Sequence, residues 1–484
     1  MPPPGTNRLR RAVTLATALT AAGCAVNPAT GGHELSFVSE SQEIQMGRSG
    51  SAEVATSIGL YADSGLQQWM QRFGAALAAK SERPALPWSF RVVDDPVVNA
   101  FALPGGFIYV TRGILAHLNS EAELAGVVGH EIGHVTARHA AQQLTKQQLA
   151  AAGLIAGSLA SPDIARYANV ASSALGVLFL KYSRDDESQA DDLGLRYMRR
   201  AGYDPHQMPA VYTMLERVSA TSGGGRVPQW LATHPDPGNR RERITAEIAA
   251  LPPESLGTRV NRDPYLHRLE GLIFGTDPRD GYFKGSWFAH PGLRFQLTFP
   301  SGWTTSNQRQ AVAAVTPSKD ALLEVRLAQE ASADLAMRAF LSQTGITSGL
   351  PVHQTVHGLP AVAAAFALES DAGSLRGAVV CIEHTKLVFR LTAVATPIAW
   401  LTYEPVAEDA LASFAPLTDS AALGAQPQRL TMLTLERRTT IATLARERPS
   451  PVTPATLALL NQVEADTPLE AGALVKWVVG QPTP

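Results

Sequence analysis

The stretch from Val127 to His139 reads VVGHEIGHVTARH, and the reading of the whole chain turns on whether His130, Glu131 and His134 hold a metal. H-E-x-x-H is short enough to recur by chance, so the motif alone is a hypothesis. On a helix, residues i and i+4 share a face with Cβ atoms roughly 5–6 Å apart. The imidazoles of His130 and His134 can therefore converge as zinc requires, with Zn–N bonds of about 2.0–2.1 Å. Glu131, one residue along, points beside the metal instead of at it, which is where a base must stand to take a proton from activated water.

The flanking sequence predicts the helix itself. Ser120 and Glu123 have the spacing of a capping box, and Leu124, Val128, Ile132 and Val135 mark a buried stripe. Gly126, Gly129 and Gly133 each cost up to about 1 kcal/mol relative to Ala inside a helix. Three such costs predict a neighbour packed very close to the backbone. The run AFALPGGFIYV, Ala100 to Val110, reads as strand and is the expected neighbour.

A catalytic zinc needs a third protein ligand. The metzincin pattern would require Gly at 137 and His at 140, where this chain has Ala137 and Ala140, and His139 is off by one position. The alternative is a Glu from a later helix. Glu187 heads E-S-Q-A-D, and Asp191 follows one turn on, on the same face. A carboxylate there can accept the outer N–H of a ligand His and raise its basicity.

With these residues placed, the chain resembles the BepA-like and HtpX-like zinc metalloproteases of the gluzincin group. The resemblance rests on AVNPATGGHELSFVSESQEI, NAFALPGGFIYVTRGIL, LNSEAELAGVVGHEIGHVTARHAAQQL, YSRDDESQADDLGLRYM and ATHPDPGNRRERI, from about Cys24 to Ala250. It implies one zinc ion per chain, held by His130, His134 and Glu187, with Glu131 as general base. It also singles out His234 and Arg240 in THPDPGNR as groups to stabilise the oxyanion opposite the metal. The edge of the preceding strand, Asn99, Ala100, Phe101 and Ala102, is the expected seat for an extended substrate. The remaining histidines, His117, His206, His267, His290, His353, His357 and His384, lack ligand spacing.

At 484 residues the chain is long enough for several domains. A net charge of −2 without long charge runs gives no basis for binding nucleic acid. Arg8, Arg10 and Arg11 precede an apolar run and TAAGC, the form of an export signal too short to remain as a membrane span. It resembles a bacterial lipoprotein signal with Cys24 as the lipidated residue, although Ala21 stands where Leu is usual. AVNPATGGHELSFVS then reads as a tether. The apolar stretch from Leu149 to Leu180 reads as a helical hairpin. Cys381 has no cysteine left to pair with if Cys24 is lipidated.

The expected fold is α+β: a signal at 1–24, a mainly helical protease domain with a small sheet at 25–270, an α/β sheet domain at 285–418 and a βααβ unit at 428–480. The last resembles a degenerate LysM module, with Arg438 and Thr439 where many such modules read Gly-Asp. The expected function is a periplasmic zinc endopeptidase acting on misfolded or stalled envelope proteins, anchored by lipid to the outer membrane, with peptidoglycan as a further partner. The competing class is a latent chaperone or cell-wall adaptor built on the protease fold.

Overall fold

The computed structural model describes residues 24–147, 182–221, 230, 234, 237–370 and 373–481. The export signal and the expected hairpin at 149–180 lie outside the described residues. No helix among the described residues is long and apolar enough to cross a membrane. The chain mixes helix and sheet and forms two compact units, one chiefly of 24–55, 59–274 and 429–479, the other chiefly of 275–428.

In the first unit, α1 (Glu40–Ser57) and α2 (Ser64–Ala78) precede a three-stranded sheet of β1 (Ser89–Val93), β2 (Ala100–Leu103) and β3 (Phe107–Thr111). The strand order is β1-β3-β2, with β1 parallel and β2 antiparallel to β3, which leaves β2 at the edge. The turn joining β2 to β3 needs glycine. Gly105 has φ +77°, and a Cβ there would stand 2.6 Å from the Ile44 backbone of α1.

Short α3 (Arg112–His117) leads into α4 (Glu121–Thr136), the helix of the HEIGH motif, and α4 packs against α5 (Arg184–Arg200). The N-terminus of α4 is capped by half of the expected box. Ser120 Oγ accepts the Glu123 N–H (3.1 Å), but the Glu123 carboxylate accepts the N–H of Asn119 (2.7 Å) and not that of the cap residue. The glycine reading is right about closeness and wrong about the neighbour. A Cβ on Gly129 would lie 3.1 Å from Gly194 O, and one on Gly133 would lie 2.8 Å from Ala190 O, so α5 and not the strand fills the space. Gly133→Ala is expected to destabilise the protein by about 1–3 kcal/mol through overpacking, despite a helix-propensity gain of about 1 kcal/mol. A urea midpoint at or above that of the wild type would show that the helices part freely.

After α5 come α6 (Met208–Thr221), α7 (Pro237–Ala249), α8 (Arg262–Arg268) and β4 (Ile273–Phe274). The unit is completed by residues from the far end of the sequence: β5 (Gln428–Thr434), α9 (Ile441–Glu447), α10 (Pro454–Leu460) and β6 (Leu474–Val479). The strands form a sheet in the order β6-β5-β4, with Leu430 bonded through its backbone to Gly271 and Leu272 at 2.9 and 2.8 Å. Leu430, Ile441, Leu457, Leu460, Trp477 and Val478 share one hydrophobic core with Leu124, Val128 and Ile132 of α4. The strand–helix–helix–strand order is present, but this segment is not a separate module, because its apolar faces are buried against the metal-motif domain. Lys476 of β6 is fully buried; its ammonium donates to Ala116 O (2.7 Å) and Leu118 O (2.9 Å) at the end of α3.

The expected tether is also partly folded. Cys24–Val26 pairs antiparallel with His33–Leu35, and buried Asn27 donates to Ala137 O just past α4 at 3.2 Å.

In the second unit an antiparallel sheet is covered by a helix on each face. Strand Gly373–His384 shows how the alternation sorts its residues. Val380 and Ile382 pack with Trp400 and Leu411 of helix Pro397–Ala412, whereas Val379 and Cys381 pack with Met337 and Phe340 of helix Ala333–Leu341. Cys381 is buried and free.

Candidate metal centre

Helix α4 presents His130 and His134 one turn apart, and α5 brings Glu187 to the same point from its first turn. The Nε2 atoms of the two histidines are 3.0 Å apart. Glu187 Oε1 lies 3.5 Å from His134 Nε2, and its Oε2 lies 3.6 Å from His130 Nε2. His234 joins them, with Nδ1 2.8 Å from Glu187 Oε1 and 3.3 Å from His130 Nε2. Two donors on one tetrahedral zinc, each about 2.05 Å from it, stand roughly 3.3 Å apart. The observed separations bracket that value, all four residues are buried, and they form the one group of potential ligands of this kind found among the described residues. Glu131 Oε1 is buried without a hydrogen-bond partner, as expected of an oxygen that faces an ion or its water.

The outer nitrogens are held in turn. His130 Nδ1 stands 2.9 Å from Asp191 Oδ1, so an N–H there donates to the carboxylate and leaves Nε2 free as a ligand atom. Asp191 also accepts from Tyr212 Oη (2.6 Å) and from Arg240 Nε and Nη2 (2.9 and 2.6 Å). Burial alone would raise its pKa, but the Arg240 cation and these bonds prevail and hold it far below the usual carboxylate range. His134 Nδ1 contacts His139 Nδ1 at 2.9 Å, and His139 Nε2 donates to Gln189 Oε1 at 2.8 Å. The Tyr182 ring stacks on His134 with centroids 4.1 Å apart.

Electrostatics favours a cation at the convergence point. Burial pushes Glu187 up to about 7 and Glu131 up to about 7, so two carboxyls sit here without enough positive charge to keep them fully ionised. Burial also drives His134 well below its ordinary range and His234 down to about 4. Both imidazoles are therefore neutral at pH 7, the form that binds metal.

Residues 64–248 match peptidase family M48. The chain carries an M48 peptidase domain. Over 191 residues it is 37% identical to "Mitochondrial metalloendopeptidase OMA1" of Arabidopsis thaliana, covering 38% of this chain and 37% of that one. It is 31% identical over 216 residues to "Beta-barrel assembly-enhancing protease" of Escherichia coli K12, covering 42% and 43%. With the OMA1 of Schizosaccharomyces pombe it shares 33% over 198 residues, covering 41% and 56%. The chain thus spans about half or less of the length of these relatives. M48 metalloproteases use zinc, and the donor set described above fits that ion.

Within the M48 domain, the residues singled out by sequence occupy different positions relative to this point. His130, His134 and Glu187 converge, and Glu131 stands at the rim, with Oε1 3.7 Å from His234 Nε2. His234, expected opposite the metal, lies inside the donor set. Arg240, expected to face an oxyanion, is instead engaged by carboxylates, with Nη1 2.6 Å from Glu187 Oε2 and Nη2 on Asp191. The buried guanidinium thus ties the Glu187 and Asp191 carboxylates together. Of the expected substrate edge, Asn99 is buried, Phe101 and Ala102 are half-buried, and β2 has no strand on its outer side among the described residues. The other seven histidines stay outside the cluster. Sequence reasoning missed Tyr182 and Tyr212, which lie five residues before Glu187 and far beyond it, and left His139 without a role.

Asp191→Asn is expected to weaken zinc affinity or turnover by about 10- to 100-fold, because the amide brings no charge to His130 and leaves Arg240 undercompensated. Asp192, half exposed and paired with Arg243, is the control. Equal zinc affinities for Asp191→Asn and Asp192→Asn would remove Asp191 from the site.

Proposed function

We propose that this chain is a zinc-dependent endopeptidase. The observation that carries the reading is the convergence of His130, His134 and Glu187 donor atoms with Glu131 beside them in a buried site. When bound, zinc polarises a peptide carbonyl and lowers the pKa of water. Glu131 takes a proton from the attacking water and returns it to the leaving amine nitrogen, so that water is added across the broken C–N bond. For this to occur His234 must withdraw, since a catalytic site keeps one position open.

An exported protein with lipid on Cys24, working in the periplasm at the outer membrane, is supported by the form of residues 1–24. Substrates among misfolded or stalled envelope proteins are supported by relatives named for β-barrel assembly. Glycan contact by the segment at 428–480 is supported by its sequence resemblance to LysM modules.

The closed four-donor set favours a second reading, a latent protein that binds polypeptides without cutting them. Metal content and casein cleavage separate the two. The peptidase reading expects about one zinc per chain, activity lost on dialysis against a chelator and activity restored by zinc. Zinc-loaded protein that leaves casein intact would favour the latent form.

A further inference from the structure

The first described residues of the chain form a hairpin with two unlike faces. Cys24–Val26 pairs with His33–Leu35 in a register that sets Cys24 opposite Leu35 and Val26 opposite His33. Side chains alternate along a strand, so Glu34 points the other way from Leu35. Glu34 accepts from Asn27 Nδ2 at 2.8 Å and from Gln142 Nε2, which turns that side of the hairpin to the protein. On the other side Val26 and Leu35 are 52% and 48% exposed, and Phe37, two residues on, is 42% exposed. Val26 and Leu35 are diagonal neighbours across the ladder, a separation of about 7–8 Å. Three large apolar side chains gathered in this way exceed the single scattered ones that a surface ordinarily carries.

The hairpin is also fastened to the metal helix. Asn27 donates to Ala137 O at 3.2 Å, the Phe37 N–H to Thr145 Oγ1 at 3.1 Å, and Arg138 Nη2 to Val38 O at 2.5 Å. Residues 27–38 are thereby bonded to the residues directly beyond α4. From Cys24 to Asn27 the chain covers about 10 Å at strand rise, and from Ala137 back to His134 the helix covers about 5 Å. The metal centre therefore has little freedom to move away from residue 24.

We propose that the face bearing Val26, Leu35 and Phe37 is a docking surface for a lipid bilayer, laid into the leaflet that receives the acyl chains of Cys24, and that it confines the proposed peptidase to polypeptide lying on or emerging from that membrane. The proposal rests on the peptidase reading and on the reading of Cys24 as lipidated. Position singles out a bilayer as the occupant: residue 24 is the cross-strand neighbour of Leu35, so the acyl chains of that reading start at the edge of the apolar patch. Apolar side chains at the interface then add to the anchor's hold in proportion to the area they bury.

The test uses the full chain expressed with its own signal, purified and reconstituted into vesicles of phosphatidylethanolamine and phosphatidylglycerol. Leu35→Cys and Phe37→Cys each carry an environment-sensitive fluorophore, with Ala246→Cys, exposed on α7, as control; Cys381 is buried and stays unlabelled. Vesicles are expected to shift the emission of the labels at 35 and 37 to the blue and to let brominated lipid quench them, while the label at 246 behaves as in water. Cleavage is then followed on one peptide coupled to lipid headgroups through Pro-rich spacers of about 5 or 30 residues, roughly 15 or 90 Å long. Wild type should cut the near peptide at least about tenfold faster than the far one, since a site beyond reach has almost no effective concentration. A flexible Gly- and Ser-rich insert of about 40 residues between Cys24 and Ala25 should shrink that ratio. Casein cleavage in detergent, which needs no bilayer, reports the peptidase separately, and mass spectrometry of the N-terminal peptide reports the lipid. Labels that stay in water on lipidated protein, or that are already shifted without vesicles because protein covers the face, overturn the docking surface and leave both readings standing. Equal cutting of near and far peptides overturns the confinement. An N-terminus without acyl chains overturns the anchor reading and the proposal with it. Docked protein that leaves casein intact overturns the peptidase reading and the confinement, and upholds the surface.

Discussion

Glu131→Gln is expected to leave zinc binding intact and to remove peptide hydrolysis, with kcat down by at least 10²- to 10⁴-fold, the usual worth of a positioned acid–base group. The substitution keeps the shape of a side chain that is 1% exposed and lies at the rim of the donor set, so the fold has little to lose. No ligand is touched, so metal stoichiometry should equal that of wild type. The uncharged amide cannot take a proton from water, which is why the loss should fall on turnover more than on substrate affinity. Activity within tenfold of wild type, in protein holding its full complement of zinc, would assign the base elsewhere.

Removal of residues 429–484 is expected to unfold the metal-motif domain, although the M48 match ends at residue 248. The deletion takes Leu430, Ile441, Leu457, Leu460, Trp477 and Val478 out of a core that also contains Leu124, Val128 and Ile132 of α4. Trp477 is fully buried, and truncating a buried Trp to Ala by itself costs about 3–5 kcal/mol, against a total stability of roughly 5–15 kcal/mol for a domain. The truncated chain should therefore aggregate or fail to bind zinc stoichiometrically. Trp477→Ala in the full chain gives the graded version, a lower urea midpoint with zinc affinity falling in step. A truncated protein that melts cooperatively at the wild-type temperature with zinc bound would show the terminal segment to be a passenger.

What could be read from the sequence was whatever is local to a helix. His130 and His134 are four apart, Glu187 and Asp191 are four apart, and helical geometry alone places each pair on one face. The glycines of α4 signalled a close approach, but closeness has no direction in a linear text, and the neighbour proved to be α5, more than fifty residues on. The carboxylate partners of Arg240 were hidden for a related reason. A cation near a metal motif suggests an oxyanion, whereas two buried carboxylates on the adjoining helix claim it first. Tyr182 and Tyr212 carry no spacing signal at all, because an aromatic ring reaches its partner through tertiary packing. The union of residues 429–479 with the first unit was hidden by the intervening second unit. The one trace was Lys476, a charge in the middle of LVKWVV, which cannot be buried without backbone acceptors from elsewhere.

That union sets a schedule for the molecule's birth. Strands β5 and β6 leave the ribosome after about 150 residues of another unit have been made, yet they complete the core around the metal helix. Contacts of such long sequence separation form late, because loop closure must precede them. If the chain is exported from its N-terminus onward, the metal helix crosses first and waits with part of its apolar surface uncovered until β6 arrives. A nascent chain interrupted between residues 234 and 474 therefore holds its histidines and its glutamate but not the packing that aligns them. Such a fragment would lack the aligned site needed to cut its neighbours. The cost is a long interval of exposed apolar surface, in which aggregation competes with completion.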